Sequence, residues 1–491
     1  MKFNLQILLI LFVLPSILWG AEPENSNSKE FKKSVALIRT YQQAHDWLIP
    51  WNKKALRQRN GAALVLPQQQ LLTTAGLVMN HTLIEVRKPG DDRPYEAEVI
   101  LADNAINLAL LHVSDPSFWD DLDPVEWGKT KLGDSKIQYW ESKNEWKSIS
   151  GKVKQLFIGY RSQSKAHFPV FEVVASLKSK VQGNPLVQNN KITGMIMQLR
   201  DSNLDAFPAS FLQTFIKKAS EKPYSGFPQR GFGWQQITQD ALRSHLSIEK
   251  SQTGILIDRI FHYGTGSDVL QINDFLVSMA GKKLSNEGKI EHSEWGNVLF
   301  DFLFTDQPQN FETFSLEVIR QGKRLSLETH LEDFPAEKYS VPLKTVEHPP
   351  RYVLRGGVLF QELNMNYLEI WGKDWTSKAP ARLSIYQQLE SHLPVNKNRR
   401  LVLVTRVLPT SINIGYQNLR SLIVTEINGR PVHRLEDVKT AFENPRDGFH
   451  QVNFMPGSNR AYLILPDAEM KATDQQILQH FQIPHLERLS F

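Results

Sequence analysis

The sequence predicts a mainly β fold in which an antiparallel barrel or sandwich is followed by two copies of one small domain. Three observations predict it. Up to about residue 209 the chain consists of short apolar or alternating stretches between turns, without a long amphipathic helix. A stretch of helical period follows at 208–222, with Phe211, Leu212, Phe215 and Ile216 on one face. Beyond a linker rich in Gly and Pro, two units then repeat the same order of strands.

Length and composition exclude several classes of protein. The 491 residues suggest about three domains at roughly 100–200 residues each. The absence of cysteine excludes a disulfide scaffold, a thiolate zinc site and a cysteine nucleophile. The net charge of +5 is spread along the chain, so we expect no nucleic-acid partner. Neither a metal-ligand spacing nor a phosphate-binding Gly motif occurs, so we expect no metal and no cofactor.

The first segment is typical of an export signal. Lys2 precedes an apolar stretch that Pro15 interrupts, and small residues at Gly20 and Ala21 precede a polar run. We therefore expect a signal peptide at 1–20 and a periplasmic or otherwise exported mature protein. An uncleaved N-terminal anchor is the alternative interpretation.

The two later units share a tight turn. A strand of similar pattern ends at Ala280-Gly281 in the first unit and at Asn428-Gly429 in the second. Gly and Asn accept the positive φ that such turns need. A spacing of more than a hundred residues is too long for a solenoid repeat and indicates a duplicated domain.

Four segments of the β region resemble one protein family, the HtrA/Deg serine proteases. These segments are QRNGAALVL, LLTTAGLV, NLALLHV and QGNPLVQNNKITGMIM. The resemblance implies a trypsin-like double six-stranded β-barrel followed by two PDZ-like α+β domains. The last of these is similar to the second PDZ domain of the chloroplast-type Deg branch.

The resemblance also implies the domain boundaries. They are a signal peptide (1–20), a polar N-terminal segment and entry to the barrel (21–60), a trypsin-like inactive protease domain (61–222), a first PDZ-like domain (223–337), a second PDZ-like domain (338–472) and a C-terminal tail (473–491).

The family's catalytic positions hold residues that cannot perform its chemistry. The histidine position falls on Gly76, the aspartate position on Asn107 and the serine position on Gln182. Gly76 cannot accept a proton, Asn107 carries no charge, and the amide of Gln182 is not a nucleophile. The family's oxyanion glycine corresponds to Lys180. We therefore predict no catalytic residue in this chain.

A relocated site is the alternative for catalysis. His81, Asp103 and Ser179 lie three to five residues from the family positions. Such shifts along a strand move a side chain by about 10 Å or more, and odd shifts reverse its face. We expect His81 and Asp103 at solvated strand ends instead.

The first PDZ-like unit contains the candidate peptide site. By resemblance, the carboxylate-binding loop comprises Arg230, Gly231, Phe232, Gly233 and Trp234, opposite a groove wall near Trp295 to Phe302. A simple interdomain turn, and plain core for the groove wall, are the alternatives. In the second unit Arg355-Gly356-Gly357 is the nearest match, and there an intramolecular or intersubunit role is favoured.

These residues lead to two functional hypotheses. The favoured one is an exported HtrA/Deg-like pseudoprotease in envelope protein quality control. Its expected partners are peptides or unfolded proteins, C-terminal segments among them, in a trimer-based homo-oligomer or a mixed oligomer with active homologues. The rival is an active serine endopeptidase with a rearranged site.

Overall fold

The structure is a computed structural model. It describes residues 30–141, 145–161, 166–176, 181–200, 203–221, 223–305, 313–332, 340–342 and 348–490. The predicted signal peptide (1–20), Ser179 and Lys180 lie outside these ranges. Within them, no helix is both long enough and apolar enough to cross a membrane.

The first barrel is built from one antiparallel sheet with the strand order β5-β4-β1-β2-β3-β7-β6. Its β5 and β6 are one segment interrupted at Ala97, and they pair with β4 and β7, the two opposite edges. Counted as one strand, that segment closes the sheet into a six-stranded barrel, as predicted. The elements are β1 (Val35–Gln42), β2 (Arg57–Leu66), β3 (Gln70–Thr73), α1 (Ala75–Val78), β4 (His81–Arg87), β5 (Tyr95–Glu96), β6 (Glu98–Asp103) and β7 (Leu108–His112).

The second barrel is closed, with the strand order β10-β13-β12-β11-β8-β9. The predicted helix follows it directly, and its apolar face is buried in the barrel core through Phe211, Leu212 and Phe215. The elements are β8 (Gly133–Glu141), β9 (Glu145–Arg161), β10 (Ala166–Val174), β11 (Pro185–Gln188), β12 (Lys191–Arg200), β13 (Asn203–Pro208) and α2 (Ala209–Ser220).

The first PDZ-like unit is a sheet of order β14-β15-β16-β20-β21 with a separate hairpin, β18-β19. Ala280 and Gly281 have φ of +50° and +72°, as the sequence predicts for the turn. The expected groove wall contains β19 and a 3-10 helix, Phe300–Phe304, which turns all three of its Phe side chains into the core. The elements are β14 (Phe232–Gln235), α3 (Asp240–His245), β15 (Ile255–Ile260), β16 (Phe275–Met279), β17 (Lys282–Lys283), β18 (Lys289–His292), β19 (Gly296–Leu299), β20 (Thr313–Arg320) and β21 (Lys323–His330).

The second PDZ-like unit has the strand order β28-β27-β25-β24-β23-β22-β29. The predicted tail (473–491) contains most of α8 and all of β29, which pairs with β22. The elements are β22 (Tyr352–Arg355), β23 (Val358–Glu362), α4 (Met365–Leu368), α5 (Trp375–Lys378), α6 (Ala381–Ile385), β24 (Val402–Val407), β25 (Leu422–Ile427), β26 (Arg430–Pro431), α7 (Leu435–Phe442), β27 (Phe449–Phe454), β28 (Tyr462–Pro466), α8 (Met470–His480) and β29 (Glu487–Arg488).

An acidic side chain of α8 holds the β22–β23 turn. Asp474 is 5% exposed, and its Oδ1 accepts a hydrogen bond of 2.7 Å from Gly356 N–H. Burial raises the pKa of the Asp474 carboxyl to about 6, although the Gly356 bond and the Arg355 charge oppose the shift. The folded protein therefore holds this proton more tightly than the unfolded chain does.

We expect the free energy of unfolding to fall as the pH rises from about 4 to about 6, because the folded state loses its extra proton there. Asp474→Asn removes this dependence while retaining an acceptor for Gly356 N–H. Between pH 4 and pH 7.5 the variant should gain ~1–2 kcal/mol relative to the parent in urea-induced unfolding. Asp374→Asn, an exposed control, should shift equally at both pH values. An unchanged pH dependence in Asp474→Asn would refute the assignment.

Candidate functional site

The three family positions converge at the boundary between the barrels. Gly76 lies in α1, Asn107 in the turn before β7 and Gln182 in the turn before β11. Gly76 N–H donates a 2.9 Å hydrogen bond to Asn107 Oδ1. A Cβ added at Gly76 would lie 3.2 Å from Asn107 Oδ1 and 3.8 Å from Gln182 Nε2. The structure therefore brings all three predicted positions together around one point.

Asn107 holds the start of α1 with two acceptors. Its side chain binds Gly76 N–H, and its backbone oxygen accepts from Ala75 N–H at 3.2 Å. The residue is 7% exposed and adopts a φ of +67°, which Asn tolerates better than most residues. Asn107 thus satisfies two donors of a helix too short to satisfy them itself.

Gln182 joins the two barrels. Its Nε2 donates a 2.7 Å hydrogen bond to Thr74 Oγ1, and its backbone oxygen accepts from Ala62 N–H at 2.9 Å. The next residue, Gly183, has a φ of +84° and passes so close to Ala62 that any Cβ would collide with the backbone. Sequence reasoning missed Thr74, although the Thr-Thr pair before α1 marks the position.

The proposed neighbours are engaged in local structure. His81 Nδ1 lies 2.8 Å from Val78 O. The Asp103 carboxylate accepts from Ala105 N–H at 2.8 Å and from Tyr224 O–H at 2.6 Å. Asp103 is itself 9% exposed, so the expectation of a solvated strand end is wrong for it, because it caps its own turn. A hydroxyl–imidazole pair of 3.2 Å, Ser391 Oγ and His392 Nδ1, lies in the second PDZ-like unit and not between the barrels.

Arg230, the residue predicted to bind a peptide carboxylate in the first PDZ-like unit, already has a partner within the protein. Arg230 Nη1 donates to both carboxylate oxygens of Asp301, at 2.6 and 2.8 Å. Asp301 is 2% exposed and lies in the 3-10 helix Phe300–Phe304. This ion pair connects the loop to the opposite wall of the groove and neutralises the guanidinium.

The remaining loop residues shape the same groove. Gly231 N–H donates to Thr265 O at 2.8 Å. Phe232 is fully buried and stacks on Phe300 at 6.0 Å, and Trp234 meets Phe300 edge-on at 5.9 Å. Gly233 pairs with Arg259 on β15. Because β14 is the last strand of its sheet, one of its edges has no strand partner in the described part of the unit.

In the second PDZ-like unit the edge that corresponds to the open edge of β14 has a strand partner. β22 pairs along β23, and Arg355 at its end binds Glu487 at 2.6 Å. Gly356 N–H is bonded to Asp474, as described above. Across the described ranges, three or more His, Asp or Glu side chains nowhere gather as a metal site.

Comparisons with known proteins cover nearly the whole chain. The sequence profile of the PDZ domain matches residues 341–487, beyond the predicted boundary at 472. Protease Do-like 4, mitochondrial, of Arabidopsis thaliana is 24% identical over 474 residues, or 95% of this chain and 87% of that protein. Protease Do-like 2, chloroplastic, of the same plant is 22% identical over 438 residues, or 87% of this chain and 70% of that protein.

Among solved structures, the HtrA-type protease AlgW with decapeptide aligns over 62% of this chain and 96% of its own, at 14% identity and a TM-score of 0.46. The matches to the Do-like proteases are long enough to include both barrels and the PDZ region. The observed fold is two β-barrels followed by a region that matches a PDZ domain. This chain is therefore a homologue of the HtrA/Deg proteases, with a trypsin-like domain followed by PDZ.

Proposed function

We propose that this HtrA/Deg homologue is a pseudoprotease that binds peptide or unfolded protein segments without cleaving them. The observation that supports it is the hydrogen bonding at the three family positions. Gly76 offers only a backbone N–H, which Asn107 accepts, and Gln182 donates to Thr74. Acyl transfer needs a nucleophile with a base beside it, and these bonds supply neither.

Peptide binding is assigned to the first PDZ domain. A strand at the edge of a sheet presents backbone groups to which an extended segment adds as a further strand, and β14 has this position. Asp301 neutralises Arg230, so we propose that the groove accepts internal segments and does not require a terminal carboxylate. The aromatic cluster of Phe232, Trp234 and Phe300 forms its apolar part.

The second PDZ domain is assigned to assembly. Its corresponding edge is covered by β22, which supports a packing role. We further propose export to the periplasm or another envelope compartment, and a trimer-based or mixed oligomer. Sequencing of the mature N-terminus and light scattering of the purified protein test these two points. An intact Met1 or a monomer would contradict the respective proposal.

Incubation with a fluorophosphonate probe tests the absence of a nucleophile. We expect neither labelling of the parent nor casein cleavage, with trypsin as the positive control. Gln182→Ser should also remain unlabelled, because no imidazole stands at position 76 to take the proton. Thr74→Ala controls for the hydroxyl that contacts Gln182. Labelling of the parent that a point substitution abolishes would establish the rival, an active endopeptidase with a rearranged site.

Substitution of Asn107 tests whether this position is retained for structure. Asn107→Ala leaves Gly76 N–H without its acceptor, so we expect a loss of ~1–3 kcal/mol in the free energy of unfolding. Asn107→Asp keeps the acceptor and should cost less than half as much. Urea unfolding of both variants measures the difference. Equal losses would show that the Gly76 bond is not what the side chain contributes.

A further inference from the structure

The solvent exposure of strand β2 changes halfway along its length. Residues 57–60 are exposed, whereas residues 62–66 are buried in the first barrel. On one side β2 pairs with β1 from Arg57 to Leu64. On the other side β3 reaches only Leu64–Leu66, and Ala62 N–H is bonded to Gln182 O. The exposed half of β2 therefore has no strand partner on that side among the described residues.

The free backbone groups of this half face the family site. In an antiparallel strand the N–H and C=O of alternate residues point to the same side. Because Ala62 N–H points away from β1 toward Gln182, those of Gln58 and Asn60 point the same way. Opposite Gln58, the backbone oxygen of Tyr41 accepts from Thr82 of β4 and so points away from β2, which agrees with this assignment. A short extended chain can thus pair with β2 immediately beside Gln182.

The side chains on one face of this half are cationic. Arg57 and Arg59 lie two residues apart on the same face, with about 7 Å between their Cα atoms. Both line a cavity of about 250 Å³ that Lys54 and Glu369 also line. Three cationic side chains thus surround a cavity to which the described lining contributes one carboxylate. In the described part of the chain no carboxylate lies within ion-pair distance of Lys54, Arg57 or Arg59.

The surroundings add to the positive potential. Lys53 and Arg488 supply this charge near His45, which also lines the cavity: burial lowers the pKa of His45 most, and the two cations lower it further. The cavity adjoins the family site through Met79, whose Cε lies 4.0 Å from the Cβ position of Gly76. By contrast, Arg39 on the neighbouring strand lies 3.8 Å from Glu85. The unpaired positive charge is therefore concentrated beside the site.

We propose that the exposed half of β2 binds an extended peptide segment with carboxylates at alternate positions. Side chains at i and i+2 of a paired strand lie on one face at the spacing of Arg57 and Arg59, so each carboxylate meets one guanidinium. This inference rests on the proposed function, since it needs a cleft that holds a peptide without cleaving it, and it adds a second peptide site to the one assigned to the first PDZ domain. Acidic segments of unfolded proteins are the ligands, and binding weakens with salt because both arginines are exposed.

Fluorescence anisotropy with the purified full chain tests the proposal. The probes are a labelled peptide with the sequence Gly-Thr-Glu-Val-Glu-Thr-Gly and its Gln-Val-Gln counterpart, both blocked at the ends. We expect the acidic peptide to bind at least tenfold more tightly at low salt. Arg57→Gln with Arg59→Gln should remove this preference. Arg406→Gln with Arg430→Gln, two exposed arginines of the second PDZ domain, should leave it intact.

A charge-reversal variant distinguishes a lost preference from a misfolded protein, because only a folded protein can gain the opposite preference. Arg57→Glu with Arg59→Glu should prefer a Lys-Val-Lys peptide over the acidic one. Equal binding of the acidic and amide peptides by the parent would overturn the inference, and so would displacement of the peptide by inorganic phosphate at equal affinity. Neither result affects the fluorophosphonate experiment. Cleavage of the bound peptide would instead refute the proposed function and leave the acidic preference standing.

Discussion

The boundary between the two barrels depends on buried backbone groups that need hydrogen-bond partners. Asn107 provides one with its side-chain oxygen, which accepts from Gly76 N–H at the start of α1. Gln182 provides another with its backbone oxygen, which accepts from Ala62 N–H, while its side-chain amide donates to the Thr74 hydroxyl. An unmade bond at such a place costs more than a made bond contributes. The cleft therefore keeps its shape without a proton relay, because its backbone is held by acceptors and donors that need no ionisation.

A different interaction stabilises the first PDZ-like unit. Arg230 and Asp301 belong to opposite sides of its groove, and Asp301 is nearly inaccessible to water. Removing one partner of a buried pair leaves the other charge uncompensated, which is strongly destabilising. The Arg230–Asp301 pair thus helps to set the separation of the groove walls. The aromatic contacts with Phe300 then fill the space between the walls.

Sequence reasoning was most successful where a local pattern determines the outcome. The helix at 209–220, the turn at Ala280-Gly281 and the convergence of Gly76, Asn107 and Gln182 all follow from motifs that are short and ordered along the chain. The partner of Arg230 did not follow, because Asp301 lies 71 residues away and no local pattern distinguishes it from other carboxylates.

Other features depended on packing between distant segments. The division of β5 from β6 at Ala97 arises where one segment crosses between two edges of a sheet. The cavity beside Arg57 and Arg59 exists only because the second PDZ domain packs over the start of β2. Neither has a signal within its own stretch of sequence.

The barrels, the first PDZ domain and the second PDZ domain each contact the other two, so their contacts form a closed circuit. Trp295 of the first PDZ domain packs on Phe171 of the second barrel at 5.2 Å, and His262 N–H donates to His392 O of the second PDZ domain at 3.1 Å. The circuit closes where Arg488, nearly the last residue, donates to Pro50 O beside the first barrel at 3.1 Å. A circuit of this kind resists hinge motion, since no region can swing without breaking two junctions. The second PDZ domain is therefore held at two junctions, and release of the C-terminal strand alone would leave the one between His262 and His392 in place.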